Sequence, residues 1–75
     1  MHWEDYIERT PGVMLGKPVF KGTRFTVEFL LERLADGATE EDLIANHDVL
    51  TTEHIRAALA YATSMVRNDE SVLQI

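Results

Sequence analysis

The sequence contains no cysteine, which excludes disulfide bonds and thiolate metal sites as sources of stability. Histidine is scarce as well. His2, His47 and His54 lack the paired spacing of a structural zinc site, so neither a metal nor a cofactor is expected. No apolar run approaches the length of a membrane span. The opening, Met1-His-Trp-Glu-Asp-Tyr6, lacks the basic start and apolar stretch of a signal peptide, and a cytoplasmic protein is expected. Internal repeats and low-complexity stretches are also missing. The 75 residues hold one domain, whose core is marginal on its own. With disulfides and metals excluded, self-association is the remaining ordinary way to bury more apolar surface, and a homodimer is expected.

Positive charge is in short supply. The chain carries 7 Lys and Arg against 13 Asp and Glu, a net charge of −6, which argues against a generic nucleic-acid binder. The deficit is uneven. Residues 1–25 set Arg9, Lys17, Lys21 and Arg24 against Glu4, Asp5 and Glu8, a balance of +1. Residues 26–75 set three arginines against ten acids, a balance of −7. If any part of the chain meets phosphate, the N-terminal third is the better candidate; the alternative is plain surface charge for solubility.

What is present reads as a small, mainly helical domain over residues 1–67, followed by a tail over 68–75. Trp3, Tyr6 and Ile7 have the spacing of one helical turn with an apolar side, and Thr10-Pro-Gly12 stops it. Val13-Met-Leu15 and Pro18-Val-Phe20, separated by Gly16-Lys17, predict a hairpin with a glycine-first turn. Pro18, which has no N–H, is placed at a strand start or edge. Lys21-Gly-Thr-Arg24 is a turn in which Gly22 supplies an unusual backbone conformation.

Three helices follow. The first opens at Thr26 as N-cap, carries Val27, Leu30, Leu31 and Leu34 inward, and ends at Asp36-Gly37. The second opens at Thr39 with Glu40, Glu41 and Asp42 in its first turn. There acids complement the helix dipole, a simpler reading of the three carboxylates than a metal site. Leu43 and Ile44 face inward, and Asn46-His47-Asp48 breaks the helix. The third opens at Thr51 or Thr52 and runs to about Arg67, with Ile55, Ala58, Leu59, Ala62 and then Met65 or Val66 as its apolar stripe. The tail turns apolar again at Val72, Leu73 and Ile75, a pattern that suits docking onto a partner.

Catalytic chemistry is not apparent. Gly12-Val-Met-Leu-Gly16-Lys17-Pro18 has three residues between its glycines and a proline after the lysine, so it is not a phosphate-binding loop. His47, Asp48 and His54 have no accompanying nucleophile or second motif, and no enzyme is expected. His47 reads as a helix-end residue and His54 as a solvated one. Trp3, Tyr6 and Phe20 read as core residues. Arg24 has two readings. It pairs with Glu28 or Asp36 and pins the hairpin to the first helix, or it joins Lys21 around the glycine turn to face an anion. The helix spacing also fits a helix–turn–helix motif. Its recognition helix would begin Thr52-Glu-His-Ile-Arg56, where Glu53 opposes phosphate and only Arg56 helps.

Gly16-Lys-Pro-Val-Phe-Lys-Gly-Thr-Arg24, Val27-Glu-Phe-Leu-Leu31, Ala38-Thr-Glu-Glu-Asp-Leu-Ile44 and Leu50-Thr-Thr-Glu-His-Ile-Arg-Ala-Ala-Leu-Ala-Tyr-Ala62 together resemble the bacterial domain-of-unknown-function 433 family. The likeness extends from about Trp3 to Arg67. It implies a compact three-helix homeodomain-like or winged-helix-like bundle with a small N-terminal β-hairpin, often dimeric. It also implies an antitoxin role beside a PIN-like ribonuclease toxin. Asn46-His-Asp48 departs from the family's usual aromatic-proline pair, which implies a less rigid turn before the third helix. The expected protein is thus an antitoxin that binds its cognate PIN-like toxin, with possible contacts to operator DNA. Lys17, Lys21, Arg24 and Arg56 are its candidate nucleic-acid contacts, and Val72, Leu73 and Ile75 its candidate partner contacts. The alternatives are a stand-alone dimeric helix–turn–helix regulator and a dimeric scaffold without a nucleic-acid role.

Overall fold

A computed structural model describes residues 1–68. The tail positions Val72, Leu73 and Ile75 lie outside the described residues. The chain runs through a 3₁₀ turn at Trp3–Asp5, strand β1 at Ile7–Glu8, a second 3₁₀ turn at Met14–Gly16 and strand β2 at Val19–Phe20. Helices α1 (Val27–Ala35), α2 (Glu40–Asn46) and α3 (Thr52–Arg67) follow. The protein is mainly helical, with three helices and one antiparallel two-stranded hairpin.

Each helix starts where a threonine supplies a cap. Thr26 Oγ1 accepts from the Phe29 amide at 3.0 Å. Thr39 and Asp42 form a reciprocal capping box, at 3.0 and 3.2 Å. Thr51 and His54 form another, in which His54 Nδ1 accepts from the Thr51 amide at 3.1 Å. These bonds satisfy amides that helix geometry leaves unpaired. The first helix stops at a Schellman-type end. Ala38 donates to the Arg33 carbonyl and Gly37 to that of Leu34, with Gly37 at φ +102°, a conformation that costs a glycine little.

The core gathers Ile7, Phe20, Val27, Leu30, Leu43, Leu50, Ile55, Ala57 and Ala58. The inward faces of α1 and α2 follow the apolar periodicity, with Val27, Leu30 and Leu43 buried and Leu31, Leu34 and Ile44 packed at their edge. The third helix buries Ile55 and Ala58, as its periodicity predicts, but the rest of the expected stripe does not hold. Ala57 is buried, whereas Leu59 is 49% exposed and Met65 and Val66 are exposed as well. The Trp3 ring meets Tyr61 edge-on at 4.9 Å, so the N-terminal segment packs on the Tyr61 side of α3.

The hairpin pairs other residues than its turn signals suggest. Ile7 faces Phe20 and Glu8 faces Val19, so Val13–Leu15 is not the partner strand. Pairing Ile7 with Phe20 places two buried side chains on one face, which Val13–Leu15 cannot offer opposite Pro18, a residue with no ladder donor. Val13–Leu15 instead turns tightly, with Met14 at φ +48° and Leu15 at φ +59°. The left-handed region strains ordinary side chains, and Leu15 is 95% exposed. Leu15→Asn should therefore raise stability by about 0.5–1 kcal/mol, because asparagine tolerates this conformation and no burial is lost. A higher urea midpoint at unchanged slope is the expected reading. A lower midpoint would mean that Leu15 is stabilised by packing that its exposure denies.

Candidate functional site

The segment Lys17–Arg24 folds as a strap along the start of α1. Pro18, which cannot donate, accepts through its carbonyl from the Val27 amide at 3.0 Å. Val19 bridges Thr26, and the Phe20 amide donates to Phe25 at 3.0 Å. Between these, Lys21–Arg24 reverses the chain. Gly22 takes φ +77°, and both the amide and the hydroxyl of Thr23 donate to the Phe20 carbonyl, at 3.0 and 2.8 Å. Thr23 Oγ1 also accepts from the Phe25 amide. The Lys21 amide donates to Tyr6 at 2.8 Å, which ties the turn to the chain just before β1.

The side chains of the strap divide by role. Val19 and Phe20 enter the core. Lys17 reaches along α1 to Glu28, Nζ to Oε1 at 2.8 Å. That hydrogen bond, reinforced by the opposite charges, holds the Lys17 ammonium above and the Glu28 carboxyl below their ordinary values. Glu28's share of the pairing is present above the unfolded carboxylate range and is lost as pH falls through its lowered value. Both groups are open to solvent, so the pair adds little to stability. Glu28 is thus taken by Lys17, and Asp36 is taken by Arg33 at 3.0 Å. Arg24 makes neither of the expected pairings. Arg24 and Lys21 are exposed, and among the described residues no carboxylate lies within ion-pair distance of either.

Arg24 lines a cleft with Met14, Phe25, Thr26 and Phe29, of about 380 Å³. Its walls are mostly apolar. Phe25 and Phe29 meet edge-on at 5.4 Å, and His47 stands edge-on to both, at 5.0 and 5.7 Å. The Arg33 guanidinium carbon lies 5.5 Å from the Phe29 ring centroid, within range of a cation–π contact. This aromatic cluster is not evident from the sequence read residue by residue. Phe25 and Phe29 are four apart, but Phe25 precedes the helix, so the pair does not register as one face. His47 joins them only through the α2–α3 turn.

The four candidate cations do not form one site. Lys17 is committed to Glu28, Arg24 borders the aromatic cleft, Lys21 projects from the strap turn, and Arg56 is exposed on α3 outside that cleft. His54 is not the solvated residue it seems in sequence. It caps α3 and meets Phe20 and Tyr6 edge-on, at 5.1 and 5.9 Å. His47 and His54 thus sit in separate aromatic settings. Glu40, Glu41, Asp42, Asp48 and Glu53 are exposed around the ends of α2 and the start of α3, and among the described residues no cation pairs with them. Among the described residues, no helix is long and apolar enough to cross a membrane.

A solved structure described as a DUF433 member protein from Anabaena variabilis ATCC 29413 superposes with a TM-score of 0.77 at 32% identity. The match covers 95% of this chain and 67% of that one. Comparison with curated proteins finds no match. A family model described as "Protein of unknown function (DUF433)" matches residues 7–62, a span that runs from β1 through the strap and all of α1 and α2 into α3. The strap that organises this fold therefore lies within the family's shared region, and the chain belongs to the DUF433 family.

Proposed function

We propose that the protein is a cytoplasmic, homodimeric antitoxin that binds and neutralises a PIN-like ribonuclease encoded beside it. The observation that carries this reading is that Glu40, Glu41, Asp42, Asp48 and Glu53 are exposed around α2 and the start of α3 with no cation paired to them among the described residues. A ribonuclease surface built to hold RNA is basic. An acidic partner is attracted to it over several ångströms and associates faster than a neutral one. The antitoxin role is what the family resemblance implies, and the acidic residues are what supports it on this chain. The test is co-expression with the product of the adjacent gene. A stable complex at modest salt and loss of that product's ribonuclease activity at stoichiometric antitoxin are expected. A neighbour without nuclease character, or no association at modest salt, refutes the proposal.

A second reading is a dimeric helix–turn–helix regulator. It is favoured by Lys21, Arg24 and Arg56, which are exposed and, among the described residues, lack carboxylate partners. It requires salt-dependent binding to a two-fold operator upstream of its own gene without any partner. No gel shift at low salt eliminates it.

A further inference from the structure

The aromatic cleft beside Arg24 has no part in the proposed antitoxin contact. It shares no lining residue with the surface groove around Thr39, Glu40, Glu41, Ile44 and Thr52. We propose that this cleft is a docking site for a short peptide segment of a partner protein, in which an apolar side chain stands next to a carboxylate.

The cleft's volume, about 380 Å³, is at the small end of ligand pockets and suits one or two side chains. Its polar chemistry is sparse. Thr26 is buried, and its hydroxyl is occupied as the α1 cap, which leaves the Arg24 guanidinium as the lining group positioned to meet a ligand. No carboxylate of the described residues neutralises Arg24. Lys21, which also has no carboxylate partner among the described residues, stands across the Gly22 turn. The remaining wall is Phe25 and Phe29, held in place by their mutual contact and by His47. Met14 closes the other side from the strained turn, next to the almost fully exposed Leu15. A firm apolar wall with a single unpaired guanidinium matches an apolar residue flanked by a carboxylate, which arginine holds with two parallel hydrogen bonds.

Charge separates this occupant from the alternatives. A nucleic acid brings a row of phosphates and needs a row of cations, but the cleft offers one within a chain of net charge −6. A second copy docked by the same face about a two-fold axis would set Arg24 toward Arg24.

The probe is a fluorescein-labelled peptide of alternating leucine and glutamate, blocked at both ends and titrated against the full chain by fluorescence anisotropy. Saturable binding is expected, with amide shifts in a 15N correlation spectrum centred on Met14, Arg24, Phe25 and Phe29. Arg24→Glu should weaken binding by about tenfold, the loss of one charge-assisted contact, and Met14→Asp should weaken it comparably. Arg67→Glu at the far end of α3 should leave it unchanged. Circular dichroism establishes that each variant is folded. Absence of binding, equal binding of a leucine–glutamine peptide, indifference to Arg24→Glu, or shifts centred elsewhere would each overturn the proposal. So would a labelled oligothymidine that shifts the cleft amides where the peptide does not, or a dimer in sedimentation that Met14→Asp dissociates. None of these results bears on the acidic surface, so the antitoxin reading stands or falls separately.

Discussion

Phe20→Ala is expected to remove a large share of the protein's stability. Phe20 is 0% exposed, faces Ile7 across the hairpin and lies edge-on to His54. Its carbonyl accepts both bonds of the strap turn, and its amide donates to Phe25. Truncating a buried phenylalanine to alanine costs about 3–5 kcal/mol. A domain of this length has a total stability on the order of 4–11 kcal/mol. The ring also joins the strap to the start of α3 through His54, so the cavity opens between two elements and neither collapses easily into it. Urea denaturation followed by circular dichroism should show a midpoint lowered by at least roughly a quarter, up to no native baseline at all. Lys21→Ala, one residue further on, removes an exposed side chain and should stay within about 0.5 kcal/mol of the parent. A loss below about 1 kcal/mol for Phe20→Ala would mean that the strap is peripheral to the fold.

The contrast between Phe20 and Lys21 mirrors what the sequence makes legible. Caps are local, and Thr26, Thr39 and Thr51 mark the helix starts because each needs only a hydroxyl and an amide three residues on. The inward faces of α1 and α2 are legible for the same reason, since periodicity there agrees with packing. The hairpin is legible in kind but not in register. Strands of two residues carry no alternation to read, and Gly16-Lys17 has the composition of a turn it does not form. The packing of Trp3 on Tyr61 of α3 joins residues 58 positions apart in sequence and leaves no local trace.

The candidate site divides in the same way. Its basic element is plain in Lys21-Gly-Thr-Arg24, whereas its aromatic wall is not, because His47 reaches Phe25 and Phe29 only after the helices pack. The expected pairing of Arg24 with Glu28 or Asp36 fails on geometry. Lys17 runs alongside α1 within reach of Glu28, and Arg33 lies one helical turn from Asp36. Lys17 and Arg33 take both acids, and among the described residues Arg24 has no carboxylate partner. Most of the strap thus serves folding, through backbone bonds and two core side chains, and its outward chemistry is concentrated in Lys21 and Arg24.

Replacing Glu40 and Glu41 together with lysine should slow association with the adjacently encoded protein by on the order of ten- to a hundredfold at low salt. Both residues are exposed at the start of α2 and outside its cap, which uses Thr39 and Asp42. The fold should therefore survive, although a favourable helix-dipole contribution is replaced by an unfavourable one at each position, each about 0.3–1 kcal/mol. Stopped-flow or surface-plasmon measurements of the on-rate across a salt series give the discriminating result. At 1 M salt the screening length falls to about 3 Å, so the rates for parent and variant should converge while the parent stays faster at low salt. A single-point affinity cannot separate this from damage to the fold, whereas converging rates can, because misfolding is not repaired by screening. If the two proteins associate equally fast at low salt, the acidic surface is not the steering element. A complex that still forms would then have to be held by contacts elsewhere on the chain, where Arg24→Glu tests the cleft beside Phe25 and Phe29 independently.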